Sequence, residues 1–226
     1  MNNNNYLEVI RKDFLVESES AFRFGSIKDG GYFVSPRNII EADILFSGGI
    51  SSNTEFEYDV FRFNKNISIV MVDPTVSQAK LLLKAIMRIS FFKKEKLRYL
   101  INTLVFILML RSGRAWHVKK WLSLKNGIFD CMKEISNDFK TKKILLKLDI
   151  EGSEYDLLDE ILININLFDC MVFEFHDLDT KYLILQEFLN KCSVNFDMIH
   201  LEVNPSGGFS KFGQPKVIEF TLERRV

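Results

Sequence analysis

Three carboxylates follow one another closely where an apolar stretch of the chain ends. Residues 144–148 are mostly apolar, and Asp149, Glu151 and Glu154 come directly after them. A short apolar run of this kind is typical of a buried strand, and open α/β sheets bind their ligands at the carboxyl ends of the strands. Carboxylates at such an edge favour a cationic or hydroxyl-bearing ligand over a phosphate.

A glycine turn and a further acid are expected at the same edge. The turn 47–52 (SGGISS) contains Gly48 and Gly49 and lets a ligand approach the backbone closely. Asp73 ends the strand predicted over 67–72, where a carboxylate can accept hydrogen bonds from both hydroxyls of a ribose. A glycine turn followed by an acid at the end of the next strand predicts a nucleoside site. The alternative is plain turn chemistry without a ligand.

The kind of nucleoside is narrowed by two motifs that the sequence lacks. The phosphate-binding spacings GxGxxG and GxxxxGK[ST] are both missing. S-adenosylmethionine carries a sulfonium, an ammonium and a ribose but no phosphate. The carboxylates therefore favour S-adenosylmethionine over NAD or ATP.

Alternating periodicities predict an α/β fold. Strands are expected over 43–49, 67–72, 144–149 and 169–175, and helices over 51–63, 77–89, 153–163 and 183–191. The segments 198–203 and 217–223 flank a turn and are expected to form an antiparallel pair. We therefore predict one domain over 1–226 with a Rossmann-like sheet, mostly parallel, with an antiparallel C-terminal edge hairpin.

Composition limits the partners and the compartment. Thirty basic and thirty acidic residues cancel, so the net charge gives no reason to expect a nucleic-acid partner. The cysteines are far apart and form no CxxC pair, which argues against a disulfide framework or a zinc cluster. We assign no metal ligand and expect a cytoplasmic protein. Residues 1–5 lack the basic and apolar regions of a signal peptide and are expected to form a disordered tail.

Several stretches resemble the FkbM-type family of S-adenosylmethionine-dependent methyltransferases, and the most specific of them is 147–154 (KLDIEGSE). The further matching stretches are 46–50 with Phe56 and Glu57, 72–75, 29–32, 173–176, and the closing His200, Asn204 and 219–221. The resemblance implies a class I methyltransferase sheet with S-adenosylmethionine as methyl donor. It also implies O-methylation of a hydroxyl on a sugar or glycan precursor, for example in surface polysaccharide biosynthesis.

The resemblance also assigns cofactor contacts, to Gly30, Gly31, Gly48, Gly49, Asp73 and Asp149. Residues 48–49 would line the methionine end, Asp73 would bind the ribose, and Asp149 would face the centre of methyl transfer. For the turn that contains Gly30 and Gly31, a plain hairpin without cofactor contact is the alternative.

A hydroxyl acceptor benefits from a general base. His176, which follows the strand predicted over 169–175, is the first candidate, and a structural histidine is the alternative. Asp149 is the second candidate base, or a residue that orients His176. His200 is a further candidate base. Substrate contacts are predicted for Glu151, Glu154, His200 and Asn204, and Glu151 and Glu154 would bind either acceptor hydroxyls or the ammonium of the methyl donor. For Glu154 the alternative is a carboxylate that stabilises a helix N-terminus, and for His200 it is simple packing.

Residues 80–125 form a segment that is both basic and apolar. Glu95 is its one acid amid many lysines and arginines, and residues 99–110 are nearly all apolar. A bilayer span needs about 20 apolar residues, so this run is too short to cross a membrane. One interpretation is a helical insert packed on the sheet with its basic face in water. The other is an interfacial patch whose cationic face contacts either anionic lipid at the inner membrane face or a phosphate-bearing acceptor.

Two other functions compete with methyl transfer. Asp177 and Asp179 follow a predicted strand and could hold a divalent metal on a nucleotide-sugar, which would make the chain a glycosyltransferase. A non-catalytic scaffold that keeps the methyltransferase fold is the second alternative.

Overall fold

The structure is a computed structural model that describes residues 5–16, 18, 21–27, 30–76, 94–135, 138–139 and 141–225, with the side chains of 94–97 excepted. Asp29, the predicted helix over 77–89 and most of the predicted N-terminal tail lie outside these residues. Within them the chain forms a seven-stranded sheet flanked by helices and a separate two-stranded hairpin.

The strands of the described residues are β1 (Phe22–Gly25), β2 (Gly31–Val34), β3 (Ile44–Gly48), β4 (Ser68–Val72), β5 (Ala115–Val118), β6 (Ile144–Leu148), β7 (Phe168–Phe175), β8 (Phe196–Val203) and β9 (Ile218–Arg224). The first two form the hairpin, and the others lie in the order β5-β4-β3-β6-β7-β9-β8. All neighbours in this sheet are parallel except the pairs made by β9. The predicted Rossmann-like sheet with an antiparallel C-terminal hairpin is confirmed.

The described helices are α1 (Tyr6–Phe14), α2 (Pro36–Glu41), α3 (Glu55–Phe63), α4 (Lys94–Arg111), α5 (Ile128–Lys133), α6 (Leu158–Ile163) and α7 (Leu178–Cys192). Successive side chains of a strand point to opposite faces of the sheet. Phe46 and Leu146 pack in the core shared with α1, α5, α6 and α7, whereas Leu45 and Leu145 pack in the core shared with α2, α3 and α4. Burial on both faces explains why these strands are continuous apolar runs. Burial of each such side chain stabilises the folded state by about 1.5–3 kcal/mol.

Some helix ends differ from the prediction. α3 begins at Glu55, and Thr54 makes no capping hydrogen bond through its side chain. The helix predicted from Ser153 begins with a 3-10 turn, Glu154–Leu157, and the Ser153 side chain does not cap it. α7 begins at Leu178, earlier than predicted. No side-chain capping hydrogen bond marks the start of any of these three helices, so the sequence pattern alone misplaces their first turns.

The predicted helical insert over 80–125 is helical in only part of its described length. α4 covers its middle, but Ala115–Val118 form β5, the edge strand of the main sheet beside β4. Ala115 and Val118 are buried in the two cores. This part of the segment therefore belongs to the sheet and is not an addition to it.

Candidate functional site

A cleft of about 310 Å³ lies at the carboxyl ends of β3, β4 and β6, and Gly49, Asp73, Thr75, Trp121, Asp149 and Glu151 are among the residues that line it. β3 has β4 on one side and β6 on the other, so the strand order reverses here. Such a reversal is where open α/β sheets form ligand crevices. The two acids that the sequence places at neighbouring strand ends, Asp73 and Asp149, line the same cleft.

The carboxylate of Asp73 joins two loops of the cleft. Its Oδ2 accepts a hydrogen bond from the Ser51 N–H at 2.8 Å, and its Oδ1 accepts from the N–H and the hydroxyl of Thr75 at 2.7 and 2.6 Å. A carboxylate has about four acceptor positions. Asp73 therefore holds the loops in place and retains capacity for a ligand hydroxyl.

His117 on β5 supports the backbone of Asp73. Its Nε2 lies 2.9 Å from the carbonyl oxygen of Asp73, which can only accept, so Nε2 is the donor. Burial lowers the pKa of His117, and the bond to Asp73 offsets this in part. The neutral imidazole is the form that this wall of the cleft favours.

The glycine turn brings β3 against the loop after β6. A Cβ on Gly49, whose φ is +76°, would lie 1.6 Å from the carbonyl oxygen of Asp149. A Cβ on Gly48 would lie 2.5 Å from the Leu122 side chain. Close packing against backbone therefore requires a glycine at position 49, whereas the neighbours of Gly48 are side chains. Gly49 also lines the cleft, as predicted for a cofactor contact.

Lys147 places a cation beneath the glycine turn. It is buried in β6, its Nζ donates to the Gly49 carbonyl at 2.5 Å, and Nζ lies 3.7 Å from Asp149 Oδ2. Burial raises the pKa of the Glu57 carboxyl on α3, and the charge of Lys147 opposes that effect. A buried charge is costly unless it is paired, and the Asp149 carboxylate provides the pairing.

Tyr32 of the N-terminal hairpin reaches across to Asp149. Its hydroxyl donates to Asp149 Oδ2 at 2.9 Å. Burial, followed by the charge of Asp149, raises the pKa of Tyr32 well above its usual value, so the hydroxyl stays protonated. The bond fixes one carboxylate oxygen of Asp149.

Glu154 is completely buried and holds the loop that follows β6. Its carboxylate accepts hydrogen bonds from the N–H groups of Ile150 and Gly152 at 2.8 and 2.9 Å, and Oε1 lies 3.0 Å from His176 Nδ1. These bonds occupy the carboxylate away from the cleft. This placement does not fit the predicted direct contact with an acceptor.

His176 lies behind Glu151 and is not among the residues that line the cleft. Its Nε2 is 3.4 Å from Glu174 Oε1 and 3.6 Å from Glu151 Oε2. Burial lowers the pKa of His176, but hydrogen bonds to Glu154 and Glu174 and their charges outweigh burial and raise it to about 10. Glu151 has a left-handed φ of 56° and a side chain that is 88% exposed, so it is free to meet a ligand.

Asn204 and two glutamates form a buried polar group beside His176. The Asn204 amide donates to Glu174 Oε1 at 3.1 Å and to Glu219 Oε1 at 3.3 Å, and its Oδ1 accepts from Ser206 N–H. Burial, then the charges of Glu174 and Glu202, raises the pKa of Glu219 to about 9. Asn204 therefore orients protein carboxylates, and its predicted contact with a substrate has no free polar atom to use.

His200 is packed within the sheet. Its ring stacks on Phe33 with centroids 4.0 Å apart, and its Nε2 lies 3.5 Å from Glu202. It is not among the residues that line the cleft. The packing alternative fits this position better than the predicted substrate contact.

Gly30 and Gly31 belong to the turn between β1 and β2. A Cβ on Gly31 would lie 1.9 Å from the Ser26 carbonyl oxygen, and one on Gly30 would lie 2.4 Å from the Asn53 amide. Neither glycine lines the cleft. The plain-hairpin alternative accounts for both glycines. The hairpin reaches the cleft instead through the following residue, Tyr32, which donates to Asp149.

The two acids that suggested a glycosyltransferase lie beside different lysines. Asp177 pairs with Lys181 at 3.1 Å, whereas Asp179 lies 3.5 Å from Lys216. Among the described residues, neither belongs to a group of ligand atoms close enough to share a metal ion. The arrangement gives this alternative no support.

α4 carries both buried and exposed apolar residues. Phe106 and Met109 are buried, while Ile101, Leu104 and Leu108 are about half exposed and lie on one side of the helix. None of the described helices combines the length and the hydropathy that a membrane span requires. Peripheral contact with anionic lipid stays a prediction.

Sequence reasoning missed Tyr32, Lys147 and Glu174. A charged residue inside the apolar run of β6 and another inside β7 were the available signals, because a buried charge requires a partner. Nothing in the sequence links Tyr32 to Asp149, since the two are 117 positions apart.

No protein-family model matches the chain, and no curated protein matches it in sequence. Similar solved structures include a fibrillarin pre-rRNA processing protein of Methanococcus jannaschii, with a TM-score of 0.44, 10% identity, and coverage of 84% of this chain and 69% of the other. A precorrin-6y C5,15-methyltransferase of Geobacter metallireducens has a TM-score of 0.43 at 10% identity, covering 84% and 85%. The antibiotic-resistance methyltransferase Kmr has a TM-score of 0.40 at 11% identity, covering 89% and 100%. Similarity at this level identifies neither an acceptor for this chain nor the role of any of its residues.

Proposed function

We propose that the protein is an S-adenosylmethionine-dependent O-methyltransferase. The observation that carries the proposal is the cleft at the strand reversal, which two carboxylates from neighbouring strand ends, Asp73 and Asp149, line together with Gly49. A pocket with carboxylates and no phosphate-binding spacing suits a nucleoside that bears a positive charge and hydroxyls. The FkbM-type resemblance supports the same conclusion from sequence.

The residues of the cleft fit such a ligand in three parts. Asp73 would accept hydrogen bonds from the ribose hydroxyls. Trp121, exposed at the rim, offers a flat apolar surface for an adenine ring. Asp149 and the backbone of Gly49 would face the methionine end. When bound, S-adenosylmethionine supplies a methyl group on a sulfonium, which is activated for transfer to a nucleophile.

The chain's own task is then to orient an acceptor oxygen and take its proton. Orientation of two reactants accounts for a large part of enzymatic acceleration. Asp149 lines the cleft and is better placed than His176 to accept the proton. Glu151, exposed at the same rim, would bind acceptor hydroxyls. His176 and Glu154 would act behind Asp149 by fixing the loop 150–153.

For the acceptor, we propose a hydroxyl of a sugar or glycan precursor, as the resemblance implies. Carboxylates at the rim accept hydrogen bonds from sugar hydroxyls, and the exposed apolar side of α4 would suit a precursor held at a membrane surface. Sedimentation with anionic liposomes at low salt tests that location. Full recovery in the supernatant would remove the membrane part of the proposal.

Calorimetric titration with S-adenosylmethionine and with S-adenosylhomocysteine, followed by a screen of glycan acceptors, tests the function. One bound molecule per chain and methylation of at least one acceptor are expected. Binding without turnover on any acceptor would favour the non-catalytic scaffold.

A further inference from the structure

Three potential metal ligands converge next to the cleft. One ligand atom each from Asp149, Glu174 and His176 can be chosen so that all lie within 4.8 Å of one another. His176 Nε2 and Glu174 Oε1 are already 3.4 Å apart. Ligand atoms around a divalent cation at about 2.1 Å lie roughly 3–4 Å apart, so small side-chain rotations would close the group on an ion.

The surroundings of these ligands point the same way. His176 Nδ1 lies 3.0 Å from the buried Glu154 carboxylate, which can only accept, so Nδ1 carries a hydrogen. Nε2 faces the group, and a bound cation would replace the proton that Nε2 directs toward Glu174. Metal-binding histidines typically donate their second ring N–H to a carboxylate in this manner. Asn204 fixes Glu174 Oε1, and Tyr32 fixes Asp149 Oδ2.

One atom of the group lacks a partner. Glu174 is 94% buried, and its Oε2 has no hydrogen-bond partner among the described residues. An unsatisfied buried carboxylate oxygen costs free energy, because it has lost water without gaining a donor. A cation held jointly with Asp149 and His176 would satisfy it.

We propose that Asp149, Glu174 and His176 bind one divalent cation. Two carboxylates and one imidazole are a mixed set that suits Mn²⁺. The ion would lie beside the cleft, because Asp149 both lines the cleft and belongs to the ligand group. If the proposed function holds, an acceptor with two neighbouring hydroxyls could chelate the cation, which would orient it beside the cleft.

Mn²⁺ titration followed by electron paramagnetic resonance tests the site without any methyl donor. The intact protein is expected to bind one Mn²⁺ per chain, and Glu174→Gln to weaken binding by about 100-fold, as loss of a ligand costs at least as much as loss of a supporting residue. The matched control is Asp177→Asn, which removes a nearby carboxylate outside the group and keeps a residue that tolerates the left-handed φ of 56°. Its Mn²⁺ affinity is expected to stay within twofold.

Asp149→Asn provides a second ligand variant in case Glu174→Gln does not fold, which circular dichroism would reveal. The proposal is overturned if the intact protein does not bind Mn²⁺, or if both ligand variants bind it as tightly as the intact protein. S-adenosylmethionine titrated separately distinguishes the two proposals. Methyl-donor binding without Mn²⁺ binding would refute the cation site alone, and the reverse result would refute the methyltransferase alone.

Discussion

The two walls of the cleft use their carboxylates in different ways. On the β4 wall, Asp73 bonds to the loops of Ser51 and Thr75, so its charge is spread over local donors. On the side of β6 and β7, which we call the β6–β7 wall, Asp149 lines the cleft and accepts from Tyr32. Behind it, Glu174 accepts from Asn204 and keeps one oxygen without a hydrogen-bond partner among the described residues. The first wall is thus prepared for neutral hydroxyls. The second holds surplus negative charge, which a sulfonium, a metal ion or an acceptor proton can neutralise.

The largest expected effect on stability is at Gly49, where the two walls meet. Gly49→Ala should lower the free energy of unfolding by roughly 3–5 kcal/mol, because the new Cβ must adopt a left-handed φ and also displace the Asp149 carbonyl. Gly113→Ala is the control, since it has the same φ of +76° with no heavy atom within 4 Å. It should cost about 1–2 kcal/mol. Urea denaturation measures both losses of stability. Equal losses would show that the close approach of Gly49 to the Asp149 carbonyl is unimportant.

The β6–β7 wall depends on Glu154. Glu154→Ala should lower the free energy of unfolding by about 3 kcal/mol, because the Ile150 and Gly152 N–H groups and His176 lose their acceptor. Asp156→Ala, an exposed acid in the same turn, should change it by less than about 0.5 kcal/mol. Chemical denaturation distinguishes them. A loss for Glu154→Ala no larger than for the control would mean that this carboxylate does not hold the loop.

The β4 wall is tested by Asp73→Asn, which keeps the size of the side chain and removes its charge. The affinity for S-adenosylmethionine should fall by about 10- to 100-fold, as expected for hydrogen bonds to a charged group. Mn²⁺ affinity should be unchanged, because Asp73 is outside the proposed cation site. Asp43→Asn is the control, since Asp43 also accepts a backbone N–H, from Lys143, but at the opposite edge of the sheet. An unchanged methyl-donor affinity in Asp73→Asn would contradict the assignment of the ribose contact.

The smallest expected effect is on the pH dependence of stability, and it also concerns the β4 wall. The pKa of His117 is lowered in the fold by burial, so below its usual value near 6.5 the unfolded chain binds more protons than the folded one. Stability should therefore fall as the pH drops through about 6.5, and His117→Gln should flatten this part of the curve. Denaturation midpoints between about pH 5 and 7.5 test it. Parallel curves for the two proteins would mean that His117 contributes nothing to the pH dependence.

The sequence was sufficient for the parts of the fold and site that depend on short apolar runs. β3, β4 and β6 are buried on both faces, so their strands were visible, and parallel pairing brings Asp73 and Asp149 to one edge. β5 was not visible, because it is a four-residue edge strand that contains Trp116 and His117.

The support behind the site was not predictable from local patterns. Tyr32 reaches Asp149 from the N-terminal hairpin, and Asn204 reaches Glu174 from the end of β8. These contacts join residues far apart in the chain, and their geometry depends on how the hairpin and the last strands pack. For the same reason, Glu154 was predicted to contact a substrate, whereas in the fold it accepts hydrogen bonds from the loop that follows β6.

A crystal structure of the protein with S-adenosylmethionine tests the central claim most directly. The ribose hydroxyls should lie within about 3.2 Å of the Asp73 carboxylate, with the methionine end between Gly49 and Asp149. The claim would be contradicted if the ligand occupied the separate cavity at the opposite edge of the sheet, which Asp43 and Asn66 line, or if crystals soaked at saturating concentration showed no ligand in the cleft.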